Sequence, residues 1–431
     1  MNLFIKNGHV IDIKSGINEV ADIYVKNGKV AEILKGGGIK NKNFTGESVQ
    51  IIDATGLYVV PGLIDAHCHL RDPGQEYKED IESGTRSAAK GGFTSIACMP
   101  NTKPVIDNEP VVSYIKNKAE KLGCVNVYPV GAITKGLKGE ELSEIGELKS
   151  AGAVGISDDG NPVNSSDLMK KALMYASMFN ISVISHCEDM SLAEGGAMNE
   201  GYNSTVMGLK GIPTAAEDNM IARDLILSEY TGVPIHIAHV STKLGVQLIR
   251  DAKRRGVKVT CETCPHYFSL TDDACLDFNT LAKVNPPLRR PDDVDAIVEG
   301  LVDGTIDMIA TDHAPHHMDE KNVEFGHAAN GMVGFETALP LTLTNLYHTG
   351  KMGLEQIVEK FTVNPASMLG LEDKGSISVG EFCDITIFDP NEEYTIDITK
   401  FVSKSKNSPF NGYKVKGAVK YTIVNGNVID I

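Results

Sequence analysis

The sequence predicts an α/β fold, a (β/α)8 TIM-like barrel with a small β-sandwich built from both termini. Three observations predict it. Eight short β-branched runs alternate with helical segments through the middle of the chain, and Asn-Gly pairs sit between β-prone runs at both ends. The length of 431 residues also exceeds the about 250 that a barrel alone takes.

Residues 1–55 are assigned to the N-terminal part of the sandwich. There LFIKNGHVID and IYVKNGKVAEI set Asn7-Gly8 and Asn27-Gly28 between β-prone runs, the strongest local hairpin signal. Residues 373–431 supply the C-terminal part, where YTIVNGNVIDI repeats the pattern at Asn425-Gly426. Isolated hairpins bury too little apolar surface to be stable alone, so the two ends are expected to meet. Gly36, Gly37 and Gly38 read as a loop of this β portion, since they lack the strand-to-helix context of a phosphate cradle.

Residues 56–372 hold the barrel. Its strands are read in order as GLIDAHCH, FTSIACMP, NVYPVGAI, AVGISDD, SVISHCE, PIHIAHVS, VKVTCETCP and IDMIATDHAP. Among the helices between them, SSDLMKKALMYASMF opens on cap-type serines, TAAEDNMIARDLILSEYTG closes on glycine, and PDDVDAIVEGLVDG begins with proline and acids. A barrel of this kind carries its chemistry on the loops at the C-terminal ends of the strands.

Composition narrows the partners. A formal charge of −16 with no compensating basic block argues against nucleic acid and anionic membrane. The opening MNLFIKNGHVIDIKSG has charges inside any apolar stretch, and no later run approaches the roughly 18 apolar residues of a spanning helix. A cytoplasmic protein with a small-molecule substrate is expected. Eight scattered cysteines in so large a chain read as reduced thiols. Cys261, Cys264 and His266 look like half of a structural zinc site, but no second pair follows, so packed thiols on a strand are the expectation.

Five of the eight strands end in metal-ligand residue types. His67 and His69 are two apart, so on a strand both imidazoles face one side while Cys68 faces the other. Asp158 and Asp159 end the fourth strand, His186 the fifth and His239 the sixth, while Asp312, His313, His316 and His317 end the eighth. A lone histidine at a strand end is usually a hydrogen-bonded structural residue, and His236 is read as one, facing outward. Joint occurrence at one barrel mouth points instead to a metal site. Imidazole plus carboxylate suits zinc rather than calcium or magnesium, and the donor set has room for one ion or two.

PGLIDAHCHLRDPG, the strand-end histidines and TDHAPH, with β structure at both termini, resemble the amidohydrolase superfamily. CMPNTKP, KVNPPLR and NSPFNGYKVKGAVKYTIVNG resemble, within it, the long-chain bacterial-type dihydroorotases, and the resemblance covers essentially the whole chain. It implies His67, His69 and Asp312 around one metal and His186 and His239 around another. Most relatives bridge the two with a carboxylated lysine at the end of the fourth strand. Here that place holds Ser157, Asp158 and Asp159, and the resemblance implies Asp159 as the ligand, with Asp158 as the alternative.

For the substrate it implies Arg71 and Asn101 on a carboxylate, assisted by His316, and Asn285 on the ring amide. Relatives often read Phe-Gly where this chain has Asn330 and Gly331 in NGMVGFETALP, and the resemblance implies substrate contacts there through the backbone. The implied reaction is the reversible cyclisation of N-carbamoyl-L-aspartate to L-dihydroorotate in de novo pyrimidine (UMP) biosynthesis. Metal-activated hydroxide is the nucleophile and Asp312 the general acid and base. A homodimer is expected, and association with aspartate transcarbamoylase is a further expectation. A hydantoinase or allantoinase would share the metal site but would not need Arg71 and Asn101. A catalytically silent partner of aspartate transcarbamoylase would be expected to have lost ligands that this chain keeps.

Overall fold

The computed structural model of the protein describes residues 2–35 and 49–430, so the glycines at 36 to 38 lie outside the described residues. The N-terminal strands are β1 (Asn2–Asp12), β2 (Ile17–Lys26), β3 (Lys29–Lys35), β4 (Val49–Asp53) and β5 (Tyr58–Pro61). The barrel follows with β6 (Leu63–Cys68), β7 (Phe93–Cys98), β8 (Asn126–Gly131), β9 (Gly155–Ser157) and β10 (Ser182–Ser185). A small parallel pair, β11 (Met198–Asn199) and β12 (Gly211–Ile212), forms in the excursion after β10. The barrel resumes with β13 (Ile235–Ile237), β14 (Val259–Thr263) and β15 (Met308–Ile309), and the chain ends in β16 (Ile385–Thr395), β17 (Lys414–Val424) and β18 (Asn427–Val428).

The terminal strands form one sheet in the order β18-β17-β16-β5-β1-β2-β3, with β4 added beside β1. Strand β5 belongs to this sheet, pairing parallel to β1 and antiparallel to β16, so the N-terminal contribution runs on to Pro61. Val59 packs in the sheet's aliphatic core while Val60 packs with the barrel, which makes β5 the strand that joins the two units. Asn27 and Gly28 form the expected two-residue turn between β2 and β3, as Asn425 and Gly426 do between β17 and β18, all with positive φ.

Asn7 and Gly8 do not turn the chain. They form a bulge inside a continuous β1, where the Asn7 amide donates to Asp22 Oδ1 at 2.8 Å. A Cβ on Gly8 would stand 2.4 Å from Val59, so glycine serves the close approach of β5.

The barrel sheet runs β15-β14-β13-β10-β9-β8-β7-β6, and each strand falls inside one of the eight runs read from sequence. Ile96, Val183, Ile235 and Ile309 point outward against the helices, while their alternating partners Ala97, Ile184, Ala238 and Met308 fill the interior. The signposted helices form as expected: Ser165 caps Ser166–Ser177 by accepting from the Leu168 amide, and Gly232 ends Ala215–Thr231 in the left-handed conformation. Among the described residues, no helix is long and apolar enough to cross a membrane.

Candidate metal centre and active site

The barrel closes where the end of β6 meets the end of β15. The Asp312 amide donates to His67 O at 3.0 Å and the His69 amide to His313 O at 2.8 Å, which makes the His-x-His and Thr-Asp-His stretches lateral neighbours. Three non-glycine residues just beyond strand ends hold left-handed backbone: Arg71 (φ 60°), His239 (φ 34°) and Asp312 (φ 44°). Such conformations cost about 1–3 kcal/mol each and cluster where a fold keeps a functional geometry.

Asp159 is the hub of the cluster. Its Oδ1 lies 3.4 Å from His67 Nε2, 3.4 Å from His186 Nδ1 and 3.5 Å from His239 Nε2, and its Oδ2 lies 3.5 Å from His69 Nε2. Asp312 Oδ1 stands 3.1 Å from His69 Nε2 and 3.8 Å from His67 Nε2. Among the described residues, two groups could hold an ion, His67 with His69 and Asp312, and His67 with Asp159 and His239. His186 joins the second through Nδ1, 2.9 Å from His239 Nε2.

The donors fit a metal on two counts. Their spacings match the edge of roughly 3.4 Å of a tetrahedron with bonds of about 2.1 Å. Moreover, His67 Nε2 and Asp159 Oδ1 are buried without a hydrogen-bond partner, a cost that a coordinated cation removes. Burial would raise the Asp159 carboxyl, but the surrounding imidazoles, His67 foremost, outweigh it and hold the group well below its ordinary value. Asp312 is likewise held at about 2, against burial, by the hydrogen bond from His69 and the charges of His67, His69 and His239.

Asp158, the alternative ligand, points away: its carboxylate accepts the Thr134 amide at 2.9 Å and the Thr134 hydroxyl. Behind the cluster runs a strut that sequence reasoning missed. His67 Nδ1 lies 2.7 Å from Glu262 Oε1, Glu262 Oε2 lies 3.2 Å from His236 Nε2, and His236 Nδ1 lies 2.8 Å from Thr260 Oγ1. A carboxylate on Nδ1 fixes the tautomer that presents Nε2 to a metal. His236 therefore faces the barrel interior, not outward. Alternation along β13 turns it inward between Ile235 and Ile237, and the left-handed backbone of His239 then breaks the period, so both histidines serve the interior.

The residues read from the sequence as substrate contacts lie beside the cluster. Asn101 Oδ1 is 2.9 Å from His69 Nδ1 and its Nδ2 donates to Asp159. Asn285 donates to Glu188 Oε2 at 3.0 Å, and that carboxylate lies 3.2 Å from His186 Nε2. Arg71 is 8% exposed, donates from Nε to Pro315 O at 3.1 Å, and has no carboxylate in ion-pair contact among the described residues. His316 stands 3.2 Å from Arg71 Nη2 and 2.8 Å from Asn330 O.

Sequence reasoning also missed buried Lys78, whose Nζ is 3.4 Å from His316 Nδ1 and 2.9 Å from Glu320. Asn407 was seen only as part of a motif, yet its side chain accepts from the His316 amide and donates to Gly331 O. Two residues of the last strand end do not join the cluster. His313 is buried against Phe335 and takes the Gly334 amide, and exposed His317 caps the helix Met318–Lys321.

Cys261 and Cys264 are packed in separate apolar clusters, and all eight cysteines are free thiols. A cleft of about 730 Å³ at the opposite end of the barrel, around Lys258 and Met368, reaches none of the ligand residues. Donor chemistry rather than cavity size marks the site.

Family models described as dihydro-orotase-like and as amidohydrolase family match residues 56–245 and 290–430. A dihydroorotase of Acetivibrio thermocellus is 68% identical over 427 residues, 99% of this chain and 98% of that protein. One of Ruminiclostridium cellulolyticum is 65% identical over 429 residues, 100% of this chain and 98% of that protein. Among solved structures, the L-hydantoinase (dihydropyrimidinase) from Arthrobacter aurescens superposes with a TM-score of 0.88 at 30% identity, over 99% of this chain and 95% of that one.

Proposed function

The chain belongs to the dihydroorotase family of the amidohydrolases, and we propose on that premise that it interconverts N-carbamoyl-L-aspartate and L-dihydroorotate with Asp312 as proton carrier and Arg71 as carboxylate anchor. Arg71 carries the assignment of the substrate's place. A buried guanidinium beside the metal-ligand cluster, lacking a carboxylate of its own among the described residues, calls for an anion from outside. Dihydroorotate bears an exocyclic carboxylate, and a hydantoin ring bears none. The hydantoinase likeness is at much lower identity than that to the dihydroorotases and bears on the scaffold.

His67, His69, Asp159, His186, His239 and Asp312 would hold the metal, zinc by donor type, as one ion or two. When bound, it polarises the ring carbonyl and lowers the pKa of water. Arg71, with Asn101 and His316, holds the exocyclic carboxylate. Asn285 meets the ring amide, and the backbone of Asn330 and Gly331 closes the other edge of the ring. Asp312, kept ionised, accepts the proton of the attacking water and passes it to the ring nitrogen as the C–N bond breaks. In cyclisation it takes the ureido proton and returns it to the departing oxygen.

An assay of purified protein against dihydroorotate, hydantoin and allantoin, with metal analysis of the same sample, tests this reading. Turnover of dihydroorotate is expected, lost on chelation and restored by zinc without bicarbonate, because an aspartate ligand needs no carbon dioxide to form. A preference for hydantoin overturns the substrate assignment, and a bicarbonate requirement removes Asp159 as the carboxylate that would hold the metal in place of a carboxylated lysine.

A further inference from the structure

Two lysines that the mechanism leaves unused stand behind the segment carrying Asn330 and Gly331. Lys321 is fully buried, and its ammonium donates to three main-chain carbonyls: Ala329 at 2.7 Å, Gly331 at 3.0 Å and Lys283 at 3.2 Å. Lys283, 5% exposed, donates to Phe325 O at 2.8 Å, Gly326 O at 3.1 Å and Ala328 O at 2.8 Å. Neither is in ion-pair contact with a carboxylate among the described residues. Burying an ammonium with no carboxylate beside it is costly, and only its three carbonyl acceptors offset that cost, so the contacts to those carbonyls and not packing account for Lys321. Burial pushes it down to about 7, the charge of Lys283 adding to this and Cys275 opposing it.

The three carbonyls that Lys321 holds belong to the two stretches assigned to the substrate ring. Lys283 lies two residues before Asn285, and Ala329 and Gly331 flank Asn330. The Gly331 amide donates to Lys283 O at 2.9 Å, which completes the bridge between the stretches. Gly331 has φ 131° and its Cβ would stand 2.6 Å from that of Ala314, so only glycine lets the loop lie this close to the strand end. Asn407 holds the same carbonyl from the other side, donating to Gly331 O at 3.1 Å.

We infer that Lys321 is a positioning residue for the substrate: its ammonium fixes the spacing between segments 283–285 and 329–331, with Gly331 held in the clamp, so that Asn285 and the backbone of Asn330 meet the ring together. The identity of that substrate rests on the dihydroorotase reading above, whereas the clamp itself is a property of the loop.

The test uses the full-length, metal-loaded protein with Lys321→Met and Lys321→Gln, the latter retaining two donors. With Lys321→Met, KM for dihydroorotate should rise roughly tenfold or more while kcat changes less than about threefold, and Lys321→Gln should fall between it and the wild type. Amides of segments 283–285 and 324–333 should exchange hydrogen faster, with the barrel strands and metal content unchanged. A wild-type KM with unchanged exchange overturns the clamp, and so does a parallel fall in kcat and metal content, which would mark Lys321 as general scaffold. If Lys321→Met does not fold, the same two readouts on Lys321→Gln decide. If the wild type itself does not turn over dihydroorotate, it is the substrate reading that has failed, and the exchange measurement still decides the clamp.

Discussion

Around Asp159 and Asp312, four imidazoles and two carboxylates pack so closely that buried donor atoms are left without partners. Around Arg71, two residues beyond His69, positive charge accumulates instead: Arg71 and Lys78 stand on either side of the His316 ring, with Glu320 reaching in from the rim. The first group of side chains is completed by a cation and the second by an anion. On the proposed reading, a substrate whose reacting carbonyl lies near its own carboxylate would satisfy both at once. Burial, reinforced by the charges of Arg71, Lys78 and Lys321 and opposed by Glu320, holds His316 at about 3, so it stays neutral there and serves as a hydrogen-bonding group, not another charge.

The largest expected effect breaks the first group alone. Asp312→Asn keeps a weak oxygen donor but removes the proton carrier, and kcat should fall about 10²–10⁴-fold with metal content far less affected. Near-normal rates in a metal-loaded variant would take Asp312 out of the mechanism. The next change breaks the second group alone. Arg71→Met should lower kcat/KM for dihydroorotate by on the order of 10²-fold, about 2–3 kcal/mol, with full metal content. Any weak activity on dihydrouracil, which has no carboxylate, should persist, and an equal loss on both substrates would show that Arg71 is not the anchor. The smallest effect sharpens the contrast from behind: Glu262→Gln frees His67 Nδ1 from its carboxylate. Chelator competition should then show metal binding weakened by roughly 10–100-fold, while KM at saturating metal stays unchanged. Unchanged metal affinity would reduce the strut of Glu262 and His236 to packing.

The cation-seeking group was largely legible in the sequence because its signals are local. His67 and His69 announce a shared face by their spacing, and His186, His239 and Asp312 each end a readable strand. What was illegible depends on partners far away in the chain. Glu262 meets His67 across 195 residues and Lys78 meets His316 across 238, and no periodicity marks either pairing. Asp158 and Asp159 are indistinguishable as neighbours, and it is Thr134, from the preceding loop, that engages one and leaves the other to the histidines. In the terminal sheet, Asn7 and Gly8 look like Asn27 and Gly28, yet β1 continues through them because the neighbouring β5 needs the space beside Gly8.

The hydrogen bond from the Asp312 amide to His67 O has a consequence for how the protein comes into being. The ligand set is stitched across the barrel's seam, with His67 and His69 on the first strand of the ring and Asp312 just after the last. During synthesis, a nascent chain that has not yet exposed residue 312 lacks one side of the centre, however much of the barrel has formed behind it. An ion that uses Asp312 as well as the histidines binds the closed ring more tightly than the open one, so by mass action it stabilises the completed fold.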